Sequence, residues 1–191
     1  EGIPLVSHRM PSWVLPEMEQ KPLKGVKATT KAVEIRHTPQ EHFNESLHKL
    51  GDEIAIPAMA IKKAMIRAAS TLGYEMAKTK CLFYVVGRMN KDGNTVIPIN
   101  CKEKDVTMQS DLPKLMGGTP KPTYRARIDK WSARLSIRYY PQLIDADALI
   151  NMLQIAGDMG ILEGRANSPN SCGMGWGTFE VLNGKKATEE K

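Results

Sequence analysis

Residues 123–140, TYRARIDKWSARLSIRYY, constrain the fold more than any other stretch of this chain. Tyr124, Ala126 and Ile128 alternate with Arg125 and Arg127. From Trp131 onward, Trp131, Ala133, Leu135, Ile137 and Tyr139 alternate with Ser132, Arg134, Ser136 and Arg138. A period of two is the signature of a strand with one face buried. Such a chain must build a sheet, and the apolar face needs a second layer to cover it. The parity flips at Asp129-Lys130. A two-residue hairpin, setting Ile128 opposite Trp131, would do this, and so would a bulge in one long strand. In either case one face is apolar and the other carries Arg125, Arg127, Arg134 and Arg138. Four guanidinium groups on one sheet face make a phosphate track. They equally suit the solvated outer face of an antiparallel sheet.

Two amphipathic helices are the candidates for the covering layer. In PAMAIKKAMIRAASTLG, Ile61, Ala64, Met65, Ala68 and Leu72 form an apolar stripe, Pro57 suits the first turn and Gly73 the stop. Lys62, Lys63 and Arg67 lie largely off that stripe, as a solvated face or as phosphate contacts. In LIDADALINMLQIAGDMG, Asp145 suits the cap, and Leu149, Ile150, Leu153 and Ala156 form the buried stripe. Shorter signals come before these. A helix is expected near Ser12–Gln20, an extended piece at Ala32–His37, and a helix after Thr38 with Pro39 and Glu41 in capping positions. CLFYVVG (81–87) reads as a buried strand and NTVIPI (94–99) as another, joined through NKDGN. Residues 100–123 read as a long loop or small hairpin inserted in the domain.

The C-terminal half therefore reads strand, helix, glycine-rich loop, strand. In SPNSCGMGWGTFEV, Gly173, Gly175 and Gly177 fall on alternate positions ahead of the strand GTFEVL. Glycines there mark a tight bend or a close approach of backbone to a ligand. The pattern implies an α+β domain over residues 1–182, with a charged tail at 183–191. An antiparallel sheet with helices on one face, in ferredoxin-like or RRM-like order, is the expected architecture.

Charge and composition narrow the function classes. The 191 residues carry net charge +6, and residues 101–140 hold the largest share of the excess. A basic folded segment suits a polyanionic partner. No apolar run is long enough to span a membrane. The start EGIPLVSHRMPSWVLP lacks a leader pattern and a Met, so the natural start is expected upstream. Three scattered cysteines (Cys81, Cys101, Cys172) argue against a disulfide framework and for a reducing cytoplasm. No metal-ligand spacing, phosphate-loop or dinucleotide fingerprint, or nucleophile elbow is present, so no cofactor is expected.

Several segments resemble a known group. GIPLVSHRM is similar to the G-x-(S/T)-P-L-L-M-H-R opening of a group of uncharacterised bacteriophage proteins. IAIPAMAIKKAMIRAAS is similar to their proline-initiated helix. WSARLSIRYYPQLIDADALINMLQIAGDMGILEGR, followed by GMGWGTFEV, is similar to their closing strand, helix and glycine turn. LEGRANSPN stands where that group has a Trp-Arg-Pro element. The same plan resembles the RAMP superfamily, in particular the RNA-coating backbone subunits of CRISPR effector complexes. The resemblance implies a ferredoxin-like domain whose glycine loop lies near RNA or the first strand. His8 and Arg9 would sit close to that surface. The 100–123 insertion would be a base-wedging hairpin, with Met108 or Met116 as wedge.

Three functions follow as expectations. The first is a phage-encoded, homo-oligomeric protein coating single-stranded RNA or DNA. Arg125, Arg127, Arg134 and Arg138 would hold phosphates, supported by Lys114, Lys121, Lys62, Lys63, Arg67, His8, Arg9, Gly173, Gly175 and Gly177. Backbone electrostatics would outweigh stacking. The second is a protein-interaction or structural subunit, such as a CRISPR-complex component, its mimic, or a virion part. The third, implied by the superfamily resemblance, is a metal-independent endoribonuclease using His8 or His37 as acid/base.

Overall fold

The computed structural model describes residues 1–2, 4–7, 9–19, 37–111, 122–163 and 175–182. His8, Lys114, Met116, Lys121, Gly173, Cys172, the tail 183–191 and the expected extended piece before His37 lie outside the described residues. The elements run β1 (Leu5–Val6), α1 (Val14–Glu19), α2 (Pro39–Ser46), β2 (His48–Leu50), β3 (Glu53–Pro57), α3 (Ala58–Thr71), α4 (Met76–Leu82), β4 (Phe83–Val86), β5 (Arg88–Met89), β6 (Thr95–Asn100), β7 (Val106–Asp111), β8 (Thr123–Ile128), β9 (Ser132–Ala133), β10 (Ser136–Tyr139) and α5 (Ala146–Met159).

The helices begin and end where local chemistry dictates. Thr38 and Glu41 form a capping box, with Pro39 in the first turn of α2. Asp145 caps α5 by accepting from the Ala148 amide at 2.6 Å. Gly73, at φ +84°, turns the chain just after α3. Pro57 closes β3 and stands at the N-cap of α3 rather than inside its first turn.

The pairings among the described residues are antiparallel, and the architecture is α+β. β1, β8 and β7 form one sheet, β10 and β4 a second, and β2, β3, β6 and β5 a third, with β9 joining β6. The segment after Asp129-Lys130 is thus neither a hairpin arm nor a bulged continuation of β8. The chain bends there, bridges Gly2 at Trp131, touches β6 through Ser132–Ala133, and then pairs with β4. The parity flip is the change from one sheet to another. The insertion at 100–123 begins with a single 3-10 turn and supplies β7, which pairs with β8 from Val106↔Ile128 to Asp111↔Thr123.

α3 and α5 pack on each other and close the core with Leu5, Ile56, Phe83, Val85, Ala126 and Ile128. The buried stripe of α5 uses Met152 rather than Ile150, which is 42% exposed. Apolar residues extend round the helix, and packing against α3 selects which of them are covered. The expected closing strand GTFEVL reduces to one bridge, Gly2↔Phe179. No helix among the described residues is long and apolar enough to cross a membrane.

Candidate nucleic-acid interface

The four arginines do not share a face, because their strands belong to different sheets. Arg125 and Arg127 lie on β8, and Arg138 lies on β10. Arg134 is exposed in the link between β9 and β10. The β8 pair is already engaged. Arg125 is 17% exposed and sits 3.8 Å from the Glu163 carboxylate. Arg127 donates to Asp129 Oδ1 at 2.7 Å and to Gln109 Oε1 at 3.5 Å. An expected phosphate track across 125–138 is therefore corrected to a structural pair on β8 and exposed cations at Arg134 and Arg138.

Arg9 is likewise structural. Its guanidinium donates to Glu45 and to Asp92, both at 3.0 Å, clamping the N-terminal segment to α2 and to the β5–β6 turn. Burial pushes the Glu45 carboxyl up, but the Ser12 amide and hydroxyl and the Arg9 charge together hold it below the usual carboxylate range. His37 stacks on Trp13 at 3.8 Å between centroids, and His42 meets both rings edge-on. Glu41 lies 3.9 Å from His37 Nδ1.

The glycine stretch resolves into two different cases. Gly177 is buried at φ +71°. Its N–H donates to the Pro4 carbonyl at 2.6 Å, and its carbonyl accepts from Ile161 N at 3.0 Å. A Cβ there would overlap the Ile161 carbonyl. Its amide is spent on the fold, which corrects the expectation that it faces phosphate. Gly175, at φ +74°, is exposed, with nothing within 4 Å of a built Cβ.

A different cluster meets the requirements of an interface. Tyr84 pairs with Arg138 across β4 and β10. The Arg138 guanidinium carbon lies 5.3 Å from the Tyr84 ring centroid, and Lys62 Nζ, reaching from α3, lies 5.8 Å from it. Both distances are within cation–π range. The ring is 45% exposed. Neither Lys62 nor Arg138 forms an ion pair among the described residues. The stretch 81–87 was expected to be one buried strand; Cys81 and Leu82 instead end α4, and in β4 only Phe83 and Val85 are buried. The alternation in FYVV was the available signal for an outward Tyr84. At the end of the same strand pair stand Tyr140 and, in the following turn, Leu143, 60% and 64% exposed.

A groove of about 860 Å³ carries Lys102, Lys104 and Lys130, but Asp105, Asp158 and Glu180 line it too, so it lacks a field of one sign. Among the described residues, no group of three or more His, Cys, Asp or Glu is placed to hold a metal ion. Compared with known proteins, the chain matches no family model, no curated protein and no solved structure.

Proposed function

We propose that this protein binds single-stranded nucleic acid, coating it as a homo-oligomer, with the Lys62–Tyr84–Arg138 cluster as its stacking and phosphate platform. The observation that carries the reading is an exposed aromatic ring flanked by two cations that are not neutralised by any described carboxylate. A base presents a π-face to such a ring only when it is unpaired, and the cations attract the adjoining phosphates. Lys63, next to Lys62 on α3, and Arg134, in the link before β10, are further exposed cations. A ferredoxin-like, RAMP-type domain sets helices against an antiparallel sheet, and the antiparallel β4–β10 pair and the packing of α3 on α5 are what this reading draws on.

The test is fluorescence anisotropy with labelled single-stranded RNA, single-stranded DNA and duplex DNA across a salt series. Single strands should bind more tightly than duplex, and affinity should fall steeply with salt. Tyr84→Ala should remove roughly 1–3 kcal/mol of stacking, while Tyr84→Phe keeps most of it. Arg138→Glu should nearly abolish binding at moderate salt. Undiminished binding by Arg138→Glu would overturn the reading. A protein-interaction reading draws on Tyr140 and Leu143 instead, and it predicts no oligonucleotide binding at low salt.

A further inference from the structure

The groove beside Trp131 carries opposite charges, and the pairing of its segments gives their order. Ser132 pairs with Asn100 of β6, Trp131 bridges Gly2, and Gly2 bridges Phe179, so four segments lie side by side. Lys102 and Lys104 follow β6, the first segment, and Lys130 precedes Ser132 on the second. Glu180 follows Phe179 on the fourth. Asp158 stands at the same side, because the Phe179 amide donates to the Gly157 carbonyl at 3.1 Å. The lysines therefore line one side and Asp158 and Glu180 the other, with Glu1 next to Glu180. Asp105 lies among the lysines, which remain in excess. None of these charged groups takes part in an ion pair among the described residues. Opposite charges that do not meet leave a field running across the groove. Asp158 also stands in the last turn of α5, where the macrodipole disfavours a carboxylate and no basic residue offsets it. A cation arriving from outside the fold would.

We propose that this groove binds a short peptide by its two ends, the terminal carboxylate on the lysine side and the terminal ammonium on Asp158 and Glu180. The groove's volume of about 860 Å³ falls among sites for organic ligands. Paired segments stand roughly 4.8 Å apart, which sets the two sides roughly 10–14 Å from each other. About three or four extended residues cover that distance. A single amino acid holds its two charges too close together to reach both sides, and a polyanion would meet the carboxylates. Cys101 also lines the groove, but burial and then the Asp105 charge push its thiol up. It stays protonated at neutral pH, which suits binding rather than nucleophilic attack.

The experiment titrates the ¹⁵N-labelled full chain with tetra-alanine at constant ionic strength and follows amide chemical shifts. Saturable shifts are expected at Cys101, Ser132 and Glu180. The N-acetylated and C-amidated peptides should each bind roughly two- to five-fold more weakly, the scale of one exposed ion pair. Lys104→Gln with Lys130→Gln should weaken the free peptide and leave the C-amidated one unchanged. Asp158→Asn with Glu180→Gln should do the same with the N-acetylated one. All four side chains are exposed, so the variants should keep the rest of their spectrum, and each pair tests one end independently of the other. Shifts absent or scattered, capped peptides binding as tightly as the free one, or alanine binding as tightly as tetra-alanine would overturn the proposal. It stands apart from the single-strand reading, because the Lys62–Tyr84–Arg138 platform is built from other elements. Peptide binding without oligonucleotide binding would reject only that reading, and oligonucleotide binding without peptide binding only this one.

Discussion

Replacing Gly177 and Gly175 separately by alanine would separate a bend from an open loop. Both sit at φ above +70°, where a Cβ costs about 1–2 kcal/mol. At Gly175 that is the whole penalty, because a Cβ there has nothing within 4 Å. At Gly177 the Cβ also overlaps the Ile161 carbonyl. Relieving the overlap must stretch Ile161 N–H···O Gly177, at 3.0 Å, and Gly177 N–H···O Pro4, at 2.6 Å. At about 1 kcal/mol each, these bring the cost of Gly177→Ala to about 3–4 kcal/mol. Urea unfolding reads the difference. With a slope of about 2 kcal/mol per molar, the midpoint should drop by roughly 0.5–1 M for Gly175→Ala and 1.5–2 M for Gly177→Ala. Equal shifts would refute the argument, because both sites would then be paying for backbone conformation alone. A loss of oligonucleotide affinity at unchanged stability would show that the glycines serve a ligand rather than a bend.

Arg125→Glu should weaken the fold rather than oligonucleotide binding, because it sets a carboxylate beside Glu163; thermal unfolding beside anisotropy checks this. Ser46→Ala should cost about 1–3 kcal/mol in urea unfolding, since the buried Ser46 hydroxyl accepts the Ala126 amide at 2.8 Å and the alanine leaves that donor unsatisfied. Glu45, with its carboxyl held below the ordinary value of 4.5, contributes stability that is present above that pH and is lost as pH falls through its folded value. Glu45→Gln should flatten the acid limb of stability against pH, measured by thermal melts between pH 3 and 6 (about the carboxylate range).

Much of the fold was legible where the responsible contacts are local. The capping box of Thr38 and Glu41, the Asp145 cap and the Gly73 stop each join residues within four positions, so the sequence carries them whole. The stripes of α3 and α5 were legible for the same reason, except that Leu72 falls past the end of α3 and is exposed, and that the position of Ile150 depended on its neighbour. The candidate interface was legible only in part. Lys62 and Arg138 stood out as charges, but nothing local connected them with Tyr84.

By itself, then, the sequence determined α2, α3 and α5, the Thr38 and Asp145 caps, the period-two strand β8 and the basic excess, because hydrogen bonds and side-chain periodicity along a short segment set them, whereas α4 was not foreseen. Tertiary structure alone decided which strands pair. It sent Arg125 and Arg127 into ion pairs on β8, and it brought Lys62 and Arg138 to one tyrosine ring. It also turned Gly177 into the point where Pro4 and Ile161 meet. The physical reason is that strand pairing and close packing are chosen by partners far along the chain, and a period of two records which face is buried without recording what buries it.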